Sequence, residues 1–214
     1  SGKAISKQVR IYFTKEKIQP YLDMILYLPS KVSKSIPVFI GLNFKGNQSI
    51  HIDNSILLSE KHPDLLKSTN KPVHLIRAEQ AERWVIDTLI AKGFGVASAY
   101  YGDLELDYPE GWKTGIRTTL QKELNVKPDE WSAISAWAWG LSRMMDYLET
   151  DKQVDPGRVI VTGHSRLGKA ALWAGASDTR FAAVISNNSG EGGAALSRRW
   201  FGETISRINK NFPH

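Results

Sequence analysis

The chemistry of this chain is most legible in Gly163-His164-Ser165-Arg166-Leu167-Gly168-Lys169, which satisfies two templates at once. In one, Ser165 is a nucleophile on a tight strand-to-helix turn, its hydroxyl projecting above a sheet, with flanking glycines that let the backbone bend without Cβ clashes. The helix start then aims N–H groups and its positive dipole end at the place where a tetrahedral oxyanion would form, and Arg166 adds a formal positive charge there. In the other, Gly163 and Gly168-Lys169 have the spacing of a phosphate-binding loop. That template wants a hydroxyl after the lysine and an acidic residue ending the next strand, both to hold magnesium. Here residue 170 is alanine and the next strand ends in Asn187, so the magnesium ligands are missing. The esterase template is imperfect too, because Leu167 stands where ordinary lipases have glycine. A plain helix cap made by Ser165 and Arg166 is the bland alternative.

The surrounding elements must supply a strand before Ser165 and a helix after it. Val159-Ile160-Val161-Thr162 reads as a short buried strand, and Gly168 through Ala174 as the start of a helix. Upstream, alternation at Val9, Ile11 and Phe13 and again from Leu22 to Leu28 predicts two antiparallel edge strands, and the apolar run Val38-Phe39-Ile40-Gly41-Leu42 predicts a buried central one. Helical spacing runs from residue 78 to 92, stops at Gly93, and gives way to a strand over Val96 to Tyr100. A long loop with Tyr101, Asp103, Tyr108 and Trp112 leads to a second helix opened by Pro128-Asp129-Glu130, before Asp155-Pro156-Gly157 turns the chain. A strand from Phe181 to Ser186 and a helix-like stretch from about Ala195 to Ile208 follow. Alternating strands and helices predict an α/β class with a doubly wound, mainly parallel sheet. Trp84, Trp137 and Trp173 fall on apolar helix stripes and are expected in the core, leaving Trp112 as the better ligand contact.

Composition narrows the chemistry. The 214 residues, 42% of them hydrophobic, can fill a real core, and the net charge of +6 is spread along the chain, which disfavours a nucleic-acid arm and suits a polyanionic or uronic-acid substrate. With no cysteine, disulfides, thiolate zinc sites and cysteine nucleophiles are excluded. No run of about 18 apolar residues marks a membrane span, and the N-terminus has no apolar signal region.

Taken together, several motifs resemble the glucuronoyl esterases of carbohydrate esterase family 15, in particular the bacterial members. They are Gly41-Leu42-Asn43-Phe44 with Gly46-Asn47, Tyr100-Tyr101-Gly102-Asp103, Ala133 through Gly140, the 163–169 turn, and Ser189 through Arg199 with Phe201-Gly202-Glu203. The family's G-x-S-R-x-G-K turn accounts both for Leu167 and for the lysine that imitates a phosphate loop. The resemblance implies an α/β-hydrolase fold, a three-layer sandwich in one domain over residues 1–214. It implies Ser165 as nucleophile, Arg166 as oxyanion stabiliser, and Lys169 and Glu203 as partners of the glucuronate hydroxyls. The implied substrate is the ester between 4-O-methyl-glucuronic acid on xylan and a lignin alcohol, with the polysaccharide as partner, no cofactor, no metal, and a secreted or periplasmic location.

The chain also departs from that family. Fungal members carry the triad glutamate where this chain has Asn188, which cannot support an imidazolium by charge; some bacterial members take the acid from a later loop. Glu191 is expected to be solvated, and His51, His62 and His74 to be surface residues. His164 adjoins the nucleophile and would point elsewhere. After Ser165 the only histidine is His214, in a segment that resembles mid-domain sequence of the family. The expectation is therefore an N-terminal part of such a domain, with the last strands, the acid and the base beyond it, and with weak activity at most on its own. An acetyl xylan esterase, a non-catalytic carbohydrate-binding relative, and a phosphate-loop ATPase remain as alternatives.

Overall fold

The computed structural model describes residues 2–31, 34–59, 61–62, 76–127, 130–198, 200 and 202–211. Its spine is a six-stranded sheet in the order β1-β2-β4-β3-β5-β6. The strands are β1 (Ala4–Tyr12), β2 (Tyr21–Pro29), β3 (Ile36–Asn43), β4 (Gly95–Tyr100), β5 (Val154–His164) and β6 (Ala183–Asn187). The β1/β2 and β2/β4 pairs are antiparallel, whereas β4/β3, β3/β5 and β5/β6 are parallel. The expected pair of edge strands is thus half right. β1 is an edge, but β2 is buried along nearly its whole length because it pairs with β4 on its other side.

Among the described residues the helices are α1 (Ala81–Trp84), α2 (Ile86–Ala91), α3 (Ile116–Thr119), α4 (Gln121–Leu124), α5 (Ala133–Thr150), α6 (Arg166–Ser177) and α7 (Ile205–Asn211). They cover both faces of the sheet, giving three layers. On one face α5 and α6 bury Trp137, Leu141, Met144, Leu167 and Ala171 against Val38, Ile40, Val159 and Val161. On the other, Ile86 and Ile90 of α2 pack with Ile25, Tyr27 and Val96. Strand order and layering are those of the α/β-hydrolase fold, as expected.

Several boundaries differ from the pattern-based expectation. The helix over 78–92 is two helices, because Val85 adopts a left-handed conformation (φ 40°, ψ 40°) that interrupts the ladder. The helix expected after the 128–130 signal begins at Ala133, with the Ser132 side chain accepting from the Ser135 N–H; residues 128 and 129 lie outside the described set. The Asp155-Pro156-Gly157 turn is absorbed into β5, with a register shift between Ile36 and Val38 on its partner strand. Among the described residues of the stretch from 195 to 208, helix begins at Ile205, as part of α7. Trp173 is 53% exposed, so helical periodicity misassigned it, whereas Trp137 is core. No helix among the described residues is long and apolar enough to cross a membrane.

Candidate active site

The junction of β5 and α6 explains the composition of the 163–169 turn. Ser165 sits between strand and helix at φ 55°, ψ −129°, a region that a side chain occupies only under strain of about 1–3 kcal/mol. Three backbone bonds hold it there: the Ser165 N–H donates to the Asn187 carbonyl at 2.9 Å, and the Gly168 and Lys169 N–H groups donate to the Ser165 carbonyl at 2.8 and 3.2 Å. A Cβ on Gly163 would lie 2.0 Å from the Leu167 carbonyl oxygen, so only glycine fits. Leu167 itself is buried in the core. The second glycine stands at 168, where a Cβ would be 3.1 Å from both the Gly163 carbonyl oxygen and the Ser189 Cβ. Glycine at 168 therefore suits the close approach of the Gly163 carbonyl and of Ser189 in the loop after β6.

Arg166, Lys169 and Glu203 line one cavity of about 330 Å³ beside this turn. Arg166 and Lys169 are three residues apart at the start of α6, hence on one helical face. The Lys169 chain lies along the glycine-rich loop: a Cβ on Gly192 would be 3.6 Å from Cε and one on Gly190 3.7 Å from Nζ. Burial pushes the Lys169 ammonium below the usual lysine pKa, the Glu203 charge opposes that shift, and the nearby Arg166 charge adds to it. Three of the four residues singled out from the sequence are thus brought to one cavity, and the fourth, Ser165, immediately precedes Arg166.

Residues that the sequence reading overlooked complete the lining. Asp107, from the loop after β4, forms an ion pair with Arg166, and Glu105 forms a buried one with Arg117, with Arg117 Nε and Nη2 donating at 2.8 and 2.6 Å. Arg117 also donates to the Trp131 carbonyl, and Trp137 Nε1 donates to the Glu105 carbonyl at 2.9 Å. A signal existed in Asp103-Leu104-Glu105-Leu106-Asp107, where each acid meets a different cation: Lys61, Arg117 and Arg166 respectively. Trp112 does not line this cavity; it is half-buried in a short 3-10 turn with Lys113 above its ring.

Other expectations are corrected. Glu191 is not solvated but buried, and one carboxylate oxygen accepts from the Ile205 N–H at 2.7 Å, anchoring the start of α7 beside Glu203. His62 is half-buried against Asp103 at 3.2 Å, and His51 packs on the Tyr27 ring, so neither is a plain surface residue. His74 and His214 lie outside the described residues. His164 points to Asn187 Nδ2 at 3.3 Å, away from the cavity as expected. Asn188 is exposed with φ 47° and supplies no charge. Among the described residues no histidine lines the cavity, and no cluster of three or more histidines or carboxylates could hold a metal.

Comparison with known proteins is consistent with this geometry. A profile of fungal glucuronyl esterases matches residues 122–210. A carbohydrate esterase from an unknown prokaryotic organism is 50% identical over 219 residues, covering 100% of this chain and 50% of that protein. The 4-O-methyl-glucuronoyl methylesterase of Schizophyllum commune is 49% identical over 69 residues, covering 31% of this chain and 18% of that protein. Among solved structures, a glucuronoyl esterase from Solibacter usitatus superposes with a TM-score of 0.86 at 44% identity, covering 100% of this chain and 55% of that one. A promiscuous esterase of carbohydrate esterase family 15 from a marine bacterial metagenome gives 0.83 at 49% identity, covering 100% and 54%. The chain spans about half the length of the longest-matching relatives.

Proposed function

This chain belongs to the glucuronoyl esterases of carbohydrate esterase family 15, and from that premise we propose that it carries the nucleophile half of a serine esterase acting on 4-O-methyl-glucuronoyl esters of glucuronoxylan. The observation that supports this reading most directly is the strained Ser165 turn standing next to a cavity that gathers Arg166, Lys169 and Glu203.

In this reading the Ser165 hydroxyl attacks the ester carbonyl, the alcohol leaves, and water releases the acid from the acyl-enzyme. The N–H groups at the start of α6 that are not already bonded to the Ser165 carbonyl, and the Arg166 side chain, face the oxygen that becomes negative, in a setting arranged before reaction. Lys169 donates to ring hydroxyls and Glu203 accepts from them. A hydroxyl partner left unpaired costs about 1–3 kcal/mol, so such a pair rejects sugars with the wrong hydroxyl pattern. The proton acceptor for Ser165 and its supporting acid are assigned to parts of the protein outside the described residues. Secretion follows from the substrate, a polymer outside the cell, and the mechanism needs neither metal nor cofactor.

The test is hydrolysis of a benzyl glucuronate ester by the whole protein. Ser165→Ala should lower the rate by at least about 10³-fold with the fold unchanged. A retained rate would remove Ser165 from the role of nucleophile, and release of acetate from acetylated xylan in preference to glucuronate would redirect the substrate.

A further inference from the structure

The chain is cationic overall, with a net charge of +6, but the cavity beside Ser165 is not. Its charged lining is three cations, Arg117, Arg166 and Lys169, and three carboxylates, Glu105, Asp107 and Glu203. Each cation has its own carboxylate: Glu105 for Arg117 and Asp107 for Arg166 by direct ion pair, and Glu203 for Lys169 through its field. The Asp107 side chain is 7% exposed and that of Arg166 39%, so of the paired groups in the lining the guanidinium is the more accessible.

An uncompensated arginine beside a nucleophile is a carboxylate receptor, because its planar fork matches two carboxylate oxygens with charge-assisted bonds. Hydrolysis of a uronate ester converts a neutral acyl group into such a carboxylate at that place. We infer that Asp107 is a positioning residue that holds and neutralises Arg166 so that the cavity takes the neutral ester in preference to the uronate anion released from it. This deepens the esterase reading and rests on it. The ester carbonyl carries no formal charge and is indifferent to Asp107. The transition-state oxyanion is met by backbone N–H dipoles at the start of α6 as well as by Arg166, and those dipoles are not cancelled by Asp107. The free carboxylate seeks the guanidinium and meets the negative charge of the Asp107 paired with it.

The experiment compares calorimetric titrations of sodium glucuronate and methyl glucuronate into the whole protein carrying Ser165→Ala, with and without Asp107→Asn. The expected result is glucuronate binding tightened roughly tenfold by Asp107→Asn, with methyl glucuronate changed by less than about twofold. Asp107→Glu should retain the original ratio, and adding Arg166→Gln to Asp107→Asn should remove the gain. Asp107→Ser gives the same reading should the asparagine variant not fold. Glucuronate affinity that ignores Asp107, weakens without it, or rises equally for acid and ester overturns the inference, as does the absence of glucuronate binding with and without Asp107. Failure of the esterase reading would show separately, as methyl glucuronate left intact by the protein with Ser165 in place.

Discussion

The amide N–H of Ser165 donates to the carbonyl oxygen of Asn187 at 2.9 Å, joining the strained turn after β5 to the end of β6. Through this bond the neighbouring strand helps hold Ser165 at a backbone conformation it would not adopt in isolation. The turn is therefore a place where stability has been given up for geometry.

Ser165→Gly should make that visible. Glycine accepts φ 55°, ψ −129° without a Cβ clash, so relief of strain should outweigh the added unfolded-state entropy and stabilise the protein by about 1 kcal/mol. Urea unfolding monitored by fluorescence measures it; a Ser165→Gly midpoint below that of Ser165→Ala would contradict strain at this position.

The two glycines of the turn should differ sharply in tolerance. Gly163→Ala forces a Cβ to 2.0 Å from a backbone oxygen inside the β5–α6 junction, whereas Gly168→Ala meets its nearest neighbours at 3.1 Å. Gly163→Ala should cost more than about 3 kcal/mol or prevent folding, and Gly168→Ala about 1–2 kcal/mol. Equal losses in thermal unfolding would mean that the junction relaxes freely.

The buried pair Glu105–Arg117 floors the cavity, with both side chains less than a tenth exposed. Arg117→Leu alone strands a buried carboxylate and should destabilise by about 3–5 kcal/mol. Adding Glu105→Leu should restore most of that loss, which a double-mutant cycle in urea would report; a double variant no better than Arg117→Leu would place the damage in packing rather than charge.

A pH signature is expected where α6 ends. The Arg180 guanidinium hydrogen-bonds Asp178 and holds its carboxyl down at about 2, while also pairing with Asp146 and Glu149 of α5. A depressed carboxyl stabilises the fold above its unfolded pKa of about 3.9 and loses that contribution as pH falls through the folded value. Asp178→Asn should thus lower the midpoint of unfolding at pH 7, with the gap to the unsubstituted protein closing between about pH 4 and pH 2. A gap independent of pH would deny the linkage.

Much of this architecture is legible in one dimension because the interactions that produce it are local. Val38 to Leu42 and Val159 to Val161 must be buried strands by their apolar runs, and Gly163, Ser165 and Gly168 announce a sharp turn by residue type. The residue types of the 163–169 turn, the absence of magnesium ligands at Ala170 and Asn187, and the exclusion of cysteine chemistry needed no coordinates.

Long-range pairing could not be read in that way. β2 becomes a central strand only because β4 pairs with it from more than seventy residues later in the chain, as in Met24 against Ala99. Glu191 looks solvated in a glycine-rich loop and is buried because α7 docks on it, and Trp173 follows the helical stripe yet faces outward. The match of Asp107 to Arg166, and with it the neutral cavity inside a cationic chain, depends on a loop after β4 meeting the first turn of α6. Residue types and periodicity report the free energy of a residue's immediate surroundings, whereas burial, charge pairing and cavity shape depend on which distant segments the closed sheet brings together.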